Sequence, residues 1–232
     1  MQLLVLNSIA QNQSPIIVKD NMVWLGYYNS INLNQKWSIN SDTQFRTKNE
    51  IKDCSQALIR TGVTYKLGER LELSLGLAHF RYFIDNQSTR GEWRPWQELK
   101  LSNKLGIIKL IQRLRIEQRF NETVSNSESA NNFQFNYRFR YRFDFRVPII
   151  KEKETGNNWY ALIGNEFMIN AGNIITTNYF DQNRVYAGLN YEINKNISLQ
   201  FQYMYVWQQA TNGLTLNSNN VLRFNIYHTI SI

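Results

Sequence analysis

The stretch Phe133–Val147, FQFNYRFRYRFDFRV, decides the fold class. Its odd positions are all apolar or aromatic, and its even positions are all polar or charged, including Arg138, Arg140, Arg142 and Arg146. A helix with this pattern would spread its arginines over every side, whereas a strand places successive side chains on opposite faces. The stretch therefore predicts a β-strand with one apolar face and one strongly basic face.

The same period of two dominates the chain from Met22 onward, for example in Leu71–Leu77 and Ile197–Trp207. No convincing helix interrupts it. The predicted strands are longer than the roughly 5–6 residues usual in globular proteins. They lie near residues 23–33, 36–48, 55–67, 70–83, 92–104, 107–120, 133–147, 158–170, 181–193, 197–209 and 221–232.

The spacing between these strands favours an up-and-down transmembrane β-barrel over a soluble sandwich or lipocalin-like protein. Transmembrane barrels have long alternating strands, short periplasmic turns and longer extracellular loops. Short connectors are predicted around residues 34–35, 68–69, 104–106 and 194–196, and long polar ones at 48–54, 84–91, 121–132, 171–180 and 210–220. The connector at 148–157 departs from this rhythm, because a short turn is expected there.

Single-chain bacterial barrels have an even number of strands. We therefore predict twelve, with the additional strand at Ser14–Lys19 before a tight turn at Asp20–Asn21; ten is the main alternative. Residues 1–10 resemble the end of a signal peptide, although no Lys or Arg precedes their apolar run, and the alternative is an ordinary frayed terminus. Residues 11–232 form the single predicted barrel domain.

The composition excludes several classes of protein. Aromatic residues make up 14% of the chain while its mean hydropathy is −0.46, and the aromatic content argues against disorder. A single cysteine, Cys54, excludes a disulfide framework, and no Cys/His cluster or phosphate-binding glycine loop occurs, so neither a metal nor a cofactor is predicted. No apolar run approaches the roughly 18 residues of a transmembrane helix.

Charged side chains on the polar strand faces form the candidate site. Alternation directs these residues into the lumen: Arg113, Arg115, Glu117 and Arg119 from one strand, Arg138, Arg140, Arg142, Asp144 and Arg146 from the next, with Glu98 and Glu166 from others. Further members are expected at Arg46, Arg60, Asp42, Arg184, Glu192 and Arg223. One interpretation is a salt-bridged lining that fills a small barrel. The other is a passage or pocket that attracts anions, because the seven arginines between positions 113 and 146 meet only Glu117 and Asp144 on their own strands.

Catalytic residues are hard to assemble from this sequence. Both histidines, His79 and His228, are predicted to face outward, and no Ser or Asp is fixed beside His79 by the local sequence. The simpler interpretation is that His79 lies at the membrane interface without a catalytic role. A lipid hydrolase is a third hypothesis for function, besides a structural barrel and an anion channel. Cys54 is expected to be an inert thiol.

Four local patterns resemble a Bacteroidota outer-membrane family known as domain of unknown function 2490. They are Trp24-x-Gly26-Tyr27, Trp93-Arg94-Pro95-Trp96-Gln97-Glu98, Arg113-x-Arg115-x-Glu117-Gln118-Arg119-Phe120 and Tyr137-Arg138-x-Arg140-Tyr141-Arg142. The resemblance implies an outer-membrane β-barrel and carries no assigned activity or catalytic residues.

The leading hypothesis from the sequence is an integral outer-membrane barrel without a catalytic site, with a structural or interaction role, as in a subunit of a larger outer-membrane assembly. The alternative is a narrow anion-attracting channel. The expected partners are outer-membrane lipid, lipopolysaccharide and other outer-membrane proteins. Nucleic acid is not expected, because the positive charge is predicted to lie inside the barrel.

Overall fold

Every regular element is a β-strand in the computed structural model, which describes residues 16–84, 86–125, 128–151 and 157–232. The described residues contain no helix that is long and apolar enough to cross a membrane. The strands are β1 (Ile16–Asn32), β2 (Trp37–Lys48), β3 (Asp53–Lys66), β4 (Leu71–Ile84), β5 (Gln87–Leu105), β6 (Ile108–Ser125), β7 (Glu128–Lys151), β8 (Asn158–Ala171), β9 (Phe180–Glu192), β10 (Ile197–Gln209) and β11 (Thr215–Ser231).

The strands form a closed barrel in chain order. Each strand pairs antiparallel with the one before it, and the barrel closes where β1 pairs with β11 in parallel, from Ile16 opposite Thr215 to Asn32 opposite Ser231. Closure leaves no sheet edge, so backbone groups along the strands have partners on both sides. The expectation of an all-β barrel of sequential strands is confirmed.

The predicted number of strands is wrong for the part of the chain that the structure describes, which contributes eleven strands and neither twelve nor ten. The predicted turn at Asp20–Asn21 is absent, because β1 runs straight through it opposite Asn219 and Asn220 of β11. The Asp20 carboxylate instead accepts a hydrogen bond of 2.8 Å from the backbone N–H of Asn49 in the β2–β3 connector. An odd number is compatible with closure because the closing pair is parallel.

Most of the predicted long connectors are also wrong. Strand pairing continues to Ser125 in β6 and resumes at Glu128, and β5 and β11 begin earlier than expected. Of the five predicted long connectors, those at 48–54 and 171–180 are found within two residues of their predicted bounds, at 49–52 and 172–179. Strand β7 likewise extends to Lys151 past a register shift between Pro148 and Ile150. The stretches 84–91 and 121–132 are mostly polar in sequence, so the alternation disappears there although strand pairing extends into both.

The two faces of the strands are as predicted. On β7, Phe135 and Phe139 are 36% and 38% exposed on the outer surface, whereas Asn136 and Arg138 are 2% and 6% exposed inside. Large apolar residues cover the outside of the other strands in the same way. The proposed signal-peptide remnant at residues 1–10 lies outside the described residues and stays a prediction.

Two apolar clusters lie inside the barrel, although the sequence predicts a polar lumen. The first comprises Trp24, Tyr186, Met204, Val206 and Val221, and the second comprises Leu58, Ala78, Phe80 and Trp96. Gly62 and Gly76 stand opposite each other on β3 and β4, and a Cβ on either would overlap the Trp96 ring and the neighbouring backbone. These clusters place two indole rings in the lumen, where guanidinium groups stack on them.

Candidate lumen site

A cavity of about 650 Å³ lies inside the barrel. Its lining includes Asn178 and Thr211 in the connectors at one end and Lys66 and Lys100 near the other end, so it runs along the barrel axis. Most of its walls are polar, and twelve arginines contribute to them. The cavity is therefore the natural location for the chemistry predicted from the inward-facing charges.

Glu117 is the centre of the predicted charge network. It is 2% exposed, and its carboxylate accepts a hydrogen bond of 2.6 Å from Nη1 of Arg140. Nitrogens of three further arginines lie within 4.0 Å of it, namely Arg94 (3.4 Å), Arg115 (3.8 Å) and Arg138 (4.0 Å). One buried carboxylate is thus the shared counter-charge of guanidinium groups from β5, β6 and β7.

Glu166 and Glu98 bind the remaining predicted arginines of this wall. Glu166 on β8 contacts Arg140 at 2.8 Å and Arg184 at 3.2 Å, and it also accepts a hydrogen bond from Arg113. Glu98 on β5 lies 2.7 Å from Nε of Arg115 and 3.5 Å from Nε of Arg113. The structure therefore brings together the predicted residues Arg113, Arg115, Glu117, Arg138, Arg140, Glu98 and Glu166.

Three charged residues of the network were not predicted as site residues. Glu92, which is fully buried, lies 2.5 Å from Nε of Arg94 and 2.6 Å from Nε of Arg119. Asp181 lies 2.8 Å from Nε of Arg138. Glu92 and Arg94 share the face of Glu98 at a spacing of two, so the alternation could have found them, whereas Asp181 stands at the very start of β9.

Arg142 and Asp144 lie at the edge of the network, and Arg146 lies outside it. Nε of Arg142 is 2.9 Å from Asp144, whose carboxylate also accepts a hydrogen bond from Tyr186. Arg146 pairs with Glu192 at 2.5 Å and stacks on the Tyr160 ring at 3.7 Å. All three predicted residues are inside the barrel, and each of the two arginines has its own local acid.

The predicted excess of arginine on β6 and β7 is largely compensated. Across the described part of the barrel, six carboxylates of this wall pair with eight arginines: Glu92, Glu98, Glu117, Asp144, Glu166 and Asp181 with Arg94, Arg113, Arg115, Arg119, Arg138, Arg140, Arg142 and Arg184. We call this set the ion-pair wall. Four of its acids come from other strands than β6 and β7, which spacing along one hairpin cannot reveal.

Two lumen arginines on the opposite side have no acid. Within the described residues no carboxylate lies within 4.0 Å of Arg46 or Arg223, unlike Arg60, which pairs with Asp42 at 2.7 Å. Arg46 donates to the side-chain oxygens of Gln56 (2.5 Å) and Gln44 (3.0 Å), and Arg223 donates to the Tyr28 hydroxyl (2.5 Å). Neutral oxygen acceptors leave the positive charge of both groups in place.

The histidines and the cysteine lie apart from the lumen network. The His79 ring packs on Trp93 of the outer surface, with the ring centroids 4.3 Å apart, and His228 is 3.0 Å from the Tyr27 hydroxyl. Cys54 is a free, half-buried thiol at the start of β3. The ring and hydrogen-bond contacts of the two histidines are thus with Trp93 and Tyr27, outside the ion-pair wall.

Comparisons with known proteins extend over most of the chain. A model of the family described as "Protein of unknown function (DUF2490)" matches residues 21–217, in agreement with the resemblance in the four sequence patterns. The solved structure described as "NanC porin structure in rhombohedral crystal form" is similar over 89% of this chain and 98% of that chain, with a TM-score of 0.50 and 14% identity. That likeness shows the fold alone. No curated protein matches the chain.

Proposed function

Because the chain belongs to the DUF2490 family of proteins of unknown function, its role has to follow from its own geometry, and we propose that it is an integral outer-membrane barrel that gives small anions a restricted passage. The observation that carries this proposal is the cavity along the barrel axis, on which Arg46 and Arg223 lie without a carboxylate. Positive charge in a narrow space with low-dielectric walls raises the local concentration of anions.

Membrane insertion is supported by the apolar outer surface and by paired aromatic residues at one end of the barrel. Trp37 packs on Tyr65 and Trp159 stacks on Tyr191, with centroid distances of 4.7 Å and 4.5 Å. Aromatic girdles at the membrane interface have this arrangement. The barrel likeness to a structure described as a porin agrees with an outer-membrane location.

Replacing Ile163 by arginine tests the lipid contact. Ile163 lies within β8 on the outer face and is 58% exposed, so Ile163→Arg is expected to lower the free energy of unfolding in lipid vesicles by about 2–4 kcal/mol. The matched control is Ile107→Arg in the β5–β6 turn, where the side chain is 75% exposed and the expected cost is at most about 1 kcal/mol. Equal stability of the two variants would contradict lipid contact at Ile163.

Chloride release tests the passage itself. Vesicles that contain the protein and are loaded with potassium chloride, with valinomycin as the path for potassium, are expected to release chloride faster than protein-free vesicles. A stably inserted protein that releases no chloride would contradict the proposal.

The ion-pair wall favours a second function, a barrel whose filled lumen serves structure or interaction with other outer-membrane proteins. Its carboxylates and arginines occupy the space between β5 and β9 and rigidify that side. This function predicts stable insertion without chloride release, so the same measurement separates the two. Neither proposal includes a catalytic step, and His79→Ala is expected to leave any lipase or deacylase activity of a preparation unchanged.

A further inference from the structure

One row of side chains crosses five strands on the side of the lumen opposite the ion-pair wall. The register aligns Gln56, Arg46, Trp24, Arg223 and Gln202, from β3, β2, β1, β11 and β10 in turn. Strand pairing therefore fixes an indole ring between two arginines that have no carboxylate.

The Trp24 ring holds guanidinium groups in defined planes. The guanidinium carbon of Arg46 lies 4.1 Å from the centroid of the indole, and that of Arg184 lies 5.0 Å from it. Arg184 shares its acid, Glu166, with Arg113 and Arg140, so that carboxylate is already saturated with positive partners. Stacked guanidinium groups lose less conformational freedom when they bind an oxyanion.

Several hydrogen-bond donors of this row are unused. Trp24 is 7% exposed and its buried Nε1–H has no acceptor, and Nε of Arg46 has none either. A guanidinium has five N–H donors, of which Arg223 uses one, to the Tyr28 hydroxyl. Buried polar groups nearly always have partners, so unused donors that line a cavity call for an acceptor.

We propose that Arg46, Trp24 and Arg223, with Arg184 beside them, form a binding subsite for the oxyanion group of a small anion, a carboxylate or a phosphate. The inference deepens the proposed function and rests on it. Asp42, the acid on β2, does not oppose an anion, because it is paired with Arg60 and also accepts a hydrogen bond from Gln44. Passing anions pause at this row, where charge-assisted bonds replace part of their hydration.

Equilibrium binding tests the subsite without requiring conduction. The probes are sodium acetate and inorganic phosphate, titrated into the folded protein in detergent while tryptophan fluorescence is recorded. A saturable change that is lost in Trp24→Phe is expected for at least one probe. Arg46→Gln and Arg223→Gln are each expected to raise the Kd about tenfold, as loss of one charge-assisted hydrogen bond does.

The matched control is Arg90→Gln. Arg90 also lines the cavity, but it lies over the Tyr82 ring at 4.3 Å and outside the row, so its replacement is expected to change the Kd less than about twofold. Binding of neither probe, or an equal loss in Arg90→Gln, overturns the subsite. Chloride release without saturable binding also overturns it and leaves the passage, whereas binding without chloride release supports the subsite and contradicts the passage.

Discussion

Glu117→Gln is expected to lower the free energy of unfolding by about 3–5 kcal/mol, the cost of removing one partner from a buried ion pair. Glutamine keeps the shape of the side chain but removes its charge. Four arginines contact the Glu117 carboxylate. After the substitution these arginines repel one another in the ion-pair wall, because the negative charge at its centre is gone. Denaturant unfolding in lipid vesicles, followed by tryptophan fluorescence, measures the change.

The matched control for this substitution is Glu72→Gln. Glu72 contacts Lys100 at 2.5 Å, but both side chains are partly exposed, at 25% and 33%, so the expected cost is at most about 1 kcal/mol. If Glu117→Gln costs no more than Glu72→Gln, the ion-pair wall does not stabilise the barrel, and its carboxylates need another explanation.

The double variant Arg46→Glu with Arg223→Glu is expected to reverse the ion preference of the lumen. The substitution changes the charge beside the cavity from positive to negative at two positions that no carboxylate neutralises. Like charges a few ångströms apart repel by about 4 kcal/mol near a protein surface, so the ratio of anion to cation permeability is expected to fall at least tenfold. Reversal potentials across a salt gradient give this ratio.

Lys36→Glu with Lys195→Glu provides the same change in charge outside the lumen. Both lysines are exposed in turns at one end of the barrel, so this control is expected to leave the permeability ratio nearly unchanged at physiological salt, where the Debye length is about 8 Å. An equal effect of the two double variants would mean that net charge, and not the arginines of the lumen, determines the preference.

Much of the barrel could be predicted from Phe133–Val147 and the strands that share its period. Alternation assigns Arg138 to the inside and Phe139 to the outside because strand geometry places neighbouring side chains on opposite faces. It could not locate strand ends such as Ser125 and Glu128, where the sequence no longer alternates between apolar and polar residues and pairing alone extends the hairpin.

The sequence could not predict which charged side chains pair with each other inside the lumen. Spacing identifies Arg113 and Arg140 as inward, but their shared contact with Glu166 depends on the register of β6, β7 and β8. For the same reason the sequence favoured the arginines of β6 and β7 as the anion site, whereas Arg46 and Arg223, on the opposite side of the lumen, have no carboxylate of the described residues within 4.0 Å. In the sequence, Trp24 is marked only by a short Trp-x-Gly-Tyr pattern. Its place between two arginines follows from the pairing of β1 with β2 and from the parallel closure of β1 with β11.

The anion passage can be tested by the reversal potential of the unmodified protein in a planar bilayer that separates two potassium chloride solutions of different concentration. We expect discrete conductance steps and a reversal potential of the sign given by chloride permeability, because the uncompensated charge along the cavity is positive. Conductance steps with the opposite sign, or a stably inserted protein that gives no steps, would contradict an anion passage through this barrel.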